Sequence, residues 1–331
     1  MSGVRRERLR RGGITALEIC AVAALYYAVG RLGLLQQLVR GQVTPLWPST
    51  GIALAGLLLL GRRIWPGIAL GALLINLWLG PSLPAVLAIV AGNTLAPLCS
   101  YALLRRAGFR TEMDRLRDAL ALVFLGALTG MLVSATVGSV TLLLAGVLSA
   151  QGFWPTWSVW WTGDAMGVLL VAPVLLVLRS LRRPRSVPAA RWLEGALLVA
   201  ATVCVGFLQT SPVPLLFLGF PVLIWAAFRF QRAGAAPCAL ALSTFAIVAA
   251  AERTGPFAAH NLLTNMITLQ AFNGSIAFTA LLLGAAVGER NQTQHDIQQA
   301  CSQLSDMVDR IAADEGHRGR PEGGSSEGRG P

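Results

Sequence analysis

Trp154-Pro155-Thr156-Trp157-Ser158-Val159-Trp160-Trp161-Thr162-Gly163-Asp164-Ala165-Met166-Gly167 runs into an apolar stretch that ends at Pro173. Four tryptophans in eight positions ahead of an apolar block is the pattern of an aromatic belt at the outer bilayer face, followed by a membrane span. Asp164 stands about two turns inside that span. An acid at such depth costs roughly 2.5–3.5 kcal/mol unless it is paired or hydrated, so it marks a functional position by default. Three readings of it are open. It binds a cation or polar ligand, it pairs with Arg31 or Arg40 from the outer side, or it ties helices together as a buried hydrogen-bond acceptor.

Working outward, the rest of the chain repeats the same kind of block. Hydrophobic residues make up 54% of 331 positions and charged ones 13%, a balance unsuited to a water-exposed surface. Blocks long enough for a hydrocarbon core lie near 15–37, 43–61, 64–80, 83–104, 118–148, 157–178, 192–209, 213–228, 234–251 and 266–288. The expected fold is therefore all-α: a polytopic transmembrane helix bundle of about ten spans. The short second block, which opens with Trp47-Pro48, makes eight spans an alternative. The fifth block contains Thr129-Gly130 and Gly138-Ser139, which suits a tilted, broken or partly re-entrant helix.

The net charge of +11 comes from arginines spread between the blocks, not from one basic patch, so it reads as topology and not as nucleic-acid binding. Arg62 and Arg63, the Arg105–Arg117 group, the Arg179–Arg191 group, and Arg229 with Arg232 alternate with gaps holding only Arg31, Arg40 and Arg253. That asymmetry places both termini in the cytoplasm and the protein in the inner membrane, with the lipid bilayer as its first partner. Residues 1–14 form a basic cytoplasmic N-terminus, and the long apolar block after them is a retained first span, not a cleaved leader.

Other chemistry is sparse. Four of the five cysteines lie inside apolar blocks without metal or dithiol spacing, and are expected as small buried hydrophobes. Asn76, Asn93, Thr94, Gln270 and Asn273 are amides and a hydroxyl able to bridge helices or line a cavity. Gly67-Ile68-Ala69-Leu70-Gly71 and Gly284-Ala285-Ala286-Val287-Gly288 fit close helix contacts through small residues. No P-loop, serine elbow or zinc-binding His pair is present, and no cofactor is implied. A membrane enzyme would need a second catalytic group beside Asp164.

Past residue 288 the composition turns polar, dividing a membrane domain, 15–288, from a cytoplasmic helix, 289–315, and a tail, 316–331, expected to be disordered. Ile297, Ala300, Leu304, Met307 and Ile311 form an a/d seam of about two heptads, through which a homodimer can form.

Several stretches together resemble MASE1, the membrane-associated sensor domain of bacterial histidine kinases and diguanylate cyclases. They are Val43-Thr44-Pro45-Leu46-Trp47-Pro48-Ser49-Thr50-Gly51, Gly61-Arg62-Arg63-Ile64-Trp65-Pro66-Gly67, Gly92-Asn93-Thr94, Ala135-Thr136-Val137-Gly138, and Trp160 to Leu169 followed by Ala172-Pro173. The resemblance spans roughly residues 15 to 290. It implies a bundle that senses a stimulus near Trp160, Trp161, Gly163, Asp164 and Gly167, with Trp47, Pro48 and Asn93 as further candidates. No output domain is fused here, so the expected recipient is a separate histidine kinase or diguanylate cyclase, unless the chain is the remnant of a truncated gene. The competing function is a small-solute or ion transporter, suggested by the intramembrane acid and the Pro/Gly-interrupted helices.

Overall fold

The computed structural model describes residues 2–34, 44–180, 188–211, 215–259 and 261–318. Among them the regular structure is helical, with no strand. The helices are α1 (Ser2–Leu34), α2 (Pro48–Leu60), α3 (Trp65–Asn76), α4 (Leu83–Arg106), α5 (Leu116–Leu144), α6 (Ala150–Ser180), α7 (Ala189–Gln209), α8 (Gly219–Ala251) and α9 (Leu262–Arg318). Seven helical stretches among the described residues are long and apolar enough to cross a membrane; α2 is apolar but shorter. The chain forms two compact units, Met1–Gly288 and Glu289–Pro331. The second holds the rest of α9, on which Ile297, Leu304 and Met307 are exposed. Arg40 and most of the expected disordered tail lie outside the described residues.

Many large apolar side chains lie on the outside of the first unit. In α7, Trp192, Leu193, Leu197, Val199, Val203 and Phe207 are all exposed, as befits a helix that meets lipid and not water. This also corrects the expectation of buried cysteines. Cys20 and Cys204 sit on exposed helix faces and Cys99 is half-buried, while Cys238 alone of the four is buried. An apolar environment outside the bundle removes the pressure that buries a small hydrophobe in a soluble fold.

The second and third blocks form shorter helices than their hydropathy suggests. Pro45 and Pro48 keep residues 44–47 extended, since proline disfavours the helical region for the residue before it, and Pro48 then opens α2 at its first position. Gly61, at φ +86°, ends α2 in a conformation that suits glycine alone. The small-residue run in α3 is a true helix contact: a Cβ on Gly67 would meet the Ile19 carbonyl at 2.5 Å, and one on Gly71 the Tyr26 ring. Its counterpart at Gly284 packs against Arg232 of α8, where a Cβ would lie 3.3 Å from the side chain and 3.5 Å from the backbone.

The fifth block is a helix without a break, widened into a π turn over Leu122–Thr129. Two carbonyls of that turn take side-chain donors: Gly126 from Ser100 Oγ at 2.7 Å and Leu128 from the Trp161 indole at 2.8 Å. The expected gap between blocks 213–228 and 234–251 shrinks to one residue, Gln231, at φ 52° and ψ −138°. The chain nevertheless reverses there. A Cβ on Gly234 would lie 2.9 Å from the carbonyl of Ala226, eight residues back, and one on Gly219 would touch Leu242 at 3.4 Å. In a straight helix those pairs stand roughly 12 and 35 Å apart, so the two arms of α8 run back alongside each other.

Candidate functional site

Segment 44–47 passes over α6 as a strap. The Trp47 amide donates to the Gly163 carbonyl at 2.9 Å, and the Thr44 hydroxyl donates to the Leu46 carbonyl at 2.9 Å. Gly163 and Gly167, one helical turn apart, make the groove that admits the strap. A Cβ at Gly163 would come within 2.6 Å of the Thr44 carbonyl, and one at Gly167 would strike the Trp47 carbonyl. Where the strap turns into α2, a Cβ on Gly51 would strike the Gly167 carbonyl, so α2 and α6 cross backbone to backbone.

This close crossing carries Thr50 onto Asp164. The carboxylate is 2% exposed, and each oxygen has a hydroxyl donor: Thr50 Oγ1 to Oδ1 at 2.6 Å and Ser134 Oγ to Oδ2 at 2.5 Å. The Trp160 side chain lies beside it in the wall of the same cavity. One acid therefore joins α2, α5 and α6, and among the described residues the groups bonded to it are neutral. The ion pairs among the described residues, Arg63 with Glu18, Arg110 with Asp114 and Arg229 with Glu194, do not include it. Pairing with Arg31 is thereby corrected; that side chain is exposed. A charge with hydroxyl donors within 2.6 Å on two other helices is held in place without an arginine having to be desolvated.

Beside the carboxylate lies a partly open cavity of about 60 Å³, lined in part by Thr44, Trp47, Asn76, Asn93, Trp160 and Asp164. At about 10–15 Å³ per water centre, it has room for a few waters or one small polar molecule. Five of the eight residues singled out from the sequence, Trp47, Asn93, Trp160, Gly163 and Asp164, line this one space. The other three do not. Trp161 points to α5, Pro48 opens α2, and Gly167 is consumed by the helix crossing. Of the remaining polar candidates, Asn76 and Thr94 bond carbonyls of their own helices. Asn273 is fully buried, and neither atom of its amide has a partner among the described residues.

Two groups central to this arrangement were not singled out from the sequence. Thr50 and Ser134 are hydroxyls in apolar blocks, where such residues are common and mostly bond their own helix, so nothing local set them apart. A third connection links the strap to the last helix: Gln270 Nε2 donates to the Pro45 carbonyl at 3.0 Å.

These features define a polytopic α-helical membrane protein with a carboxylate-centred polar cavity among its helices. The chain belongs to the MASE1 family, whose sequence profile matches residues 19–291, and MASE1 domains are membrane-associated sensory domains, not catalytic ones. No curated protein and no solved structure matches the chain.

Proposed function

We propose that the cavity at Asp164 receives the stimulus of this sensory domain, that the 44–47 strap carries the change to α9, and that α9 passes it to a cytoplasmic histidine kinase or diguanylate cyclase. The observation that carries this reading is the bond from Gln270 to Pro45. The strap contributes Thr44 and Trp47 to the cavity wall, is bonded to α6 at Gly163, and is bonded to α9 at Gln270. A ligand that binds one strap position more tightly than another shifts the bundle between two states, and α9 is in direct contact with the part that moves.

In this reading the protein sits in the inner membrane with ten crossings and both termini in the cytoplasm. The arginine distribution supports that orientation, and the two arms of α8 act as separate crossings. The apolar residues exposed beyond residue 288 supply a surface for a homodimer or for the signalling partner.

The test is purification from native membranes with 289–331 present or deleted, with Asp164→Asn and Gln270→Leu alongside. A kinase or cyclase is expected to co-purify, to be lost with the deletion, and to change activity in both variants. A co-purifying enzyme indifferent to both substitutions would contradict the route through the strap. The two short helices α2 and α3 beside a membrane acid favour a second reading, transport of a small solute or ion. Uptake into proteoliposomes that is lost in Asp164→Asn would establish it.

A further inference from the structure

The balance of charge around the cavity narrows what it can accept. Asp164 presents a buried carboxylate to a space lined by two indoles, two amides and the apolar side chains of Leu34, Leu79, Ile89 and Leu142, and among the described residues no arginine or histidine is ion-paired with it. Its two hydroxyl partners orient the group but supply no positive charge. Asn93, half-buried in the same wall, has no hydrogen-bond partner among the described residues. Asn76 uses its amide nitrogen on the Ala72 carbonyl, which leaves its amide oxygen as a further acceptor. The wall thus offers a negative group, amide oxygens and aromatic rings, a set that attracts a cation and repels an anion. The size excludes a folded peptide or a nucleotide.

We propose that the cavity binds a small organic ammonium ion, with its charge on Asp164, its N–H groups on the Asn76 and Asn93 amides, and its short carbon chain between Trp47 and Trp160. The assignment rests on the sensory reading of this cavity and names the class of stimulus. An ammonium ion supplies the countercharge that the described residues do not provide. An inorganic cation would leave the apolar part of the wall without a carbon chain to cover it, and a neutral solute would make no use of the charge.

The experiment is thermal unfolding of the full chain in lipid nanodiscs against ethylammonium and ethanolamine, with 1-propanol, propionate and sodium ion as controls. Both ammonium compounds are expected to raise the melting temperature in a saturable way, and the three controls are not. Asp164→Asn, which keeps the size and an acceptor, is expected to raise the apparent dissociation constant roughly a hundredfold, the equivalent of leaving a membrane charge without its partner. Asn93→Leu, which leaves the carboxylate and its three helices untouched, is expected to weaken binding about tenfold and guards against an Asp164 variant that simply misfolds. Equal shifts from propanol or from sodium ion, a shift that survives Asp164→Asn, or no shift from either ammonium compound would overturn the assignment. The sensory reading fails separately, when a co-purifying output enzyme ignores Asp164→Asn and Gln270→Leu.

Discussion

Asp164, which is fully buried, and Arg232, which is half-buried with its Nη1 out of solvent, are two charged groups of one bundle, and they are treated in opposite ways. Asp164 has a hydroxyl donor for each oxygen, from two different helices, and opens onto a polar cavity. Arg232 follows the reversal at Gln231, and its Nη1 is buried with no hydrogen-bond partner among the described residues. The carboxylates of Asp114 and Asp118 act on it electrostatically, yet each keeps a buried oxygen without a partner of its own. One acid is anchored by short bonds that hold three helices in register. The arginine is set among acids it does not grip, and its stem rests against Gly284. A charge inside a membrane bundle therefore contributes to architecture through its partners, and not through its charge alone.

The strongest break of this contrast is Gly167→Leu. A side chain there collides with the Trp47 carbonyl and separates the strap and α2 from α6, so the loss is expected at or above the roughly 1–3 kcal/mol typical of overpacked cores, read as a collapse in folded yield and melting temperature. Next comes Asp164→Leu, which strands the Thr50 hydroxyl, while Ser134 Oγ keeps the Met131 carbonyl at 3.1 Å. At about 1–3 kcal/mol for one orphaned buried group, a loss of that size is expected in denaturant unfolding. Asp164→Asn retains acceptor and donor capacity, and its cost is expected near 1 kcal/mol, about the worth of one hydrogen bond. Arg232→Met keeps the stem that packs on Gly284 and removes only an unpartnered group, so its stability is expected within about 1 kcal/mol of wild type. Equal losses for Asp164→Leu and Arg232→Met would erase the distinction.

The same contrast explains what was legible in the sequence. An acid inside an apolar run stands out because its cost is local, so Asp164 and its tryptophan-rich approach could be singled out from the chain alone. Its partners could not, because Thr50 and Ser134 lie 114 and 30 residues away and hydroxyls are cheap anywhere in a membrane helix. The helical blocks were legible from hydropathy, which reports withdrawal from water. Hydropathy says nothing of whether a residue meets lipid or protein, and so Cys20 and Cys204 were misplaced. The strap was hidden for a related reason: Thr44 to Trp47 is apolar enough to read as part of a span, and only Pro45 and Pro48 mark it as extended. At Gln231 no glycine or proline announces the reversal, and the backbone conformation there is one that a non-glycine residue adopts only when its surroundings enforce it.

The route from cavity to α9 is tested most directly by amide hydrogen exchange in nanodiscs, comparing wild type, Asp164→Asn, Gln270→Leu and the double variant. Asp164→Asn is expected to change exchange in 44–50 and also in 266–276, and in the Gln270→Leu background the first change is expected to persist while the second disappears. A response confined to α6, or one that reaches 266–276 equally well without Gln270, would contradict the account.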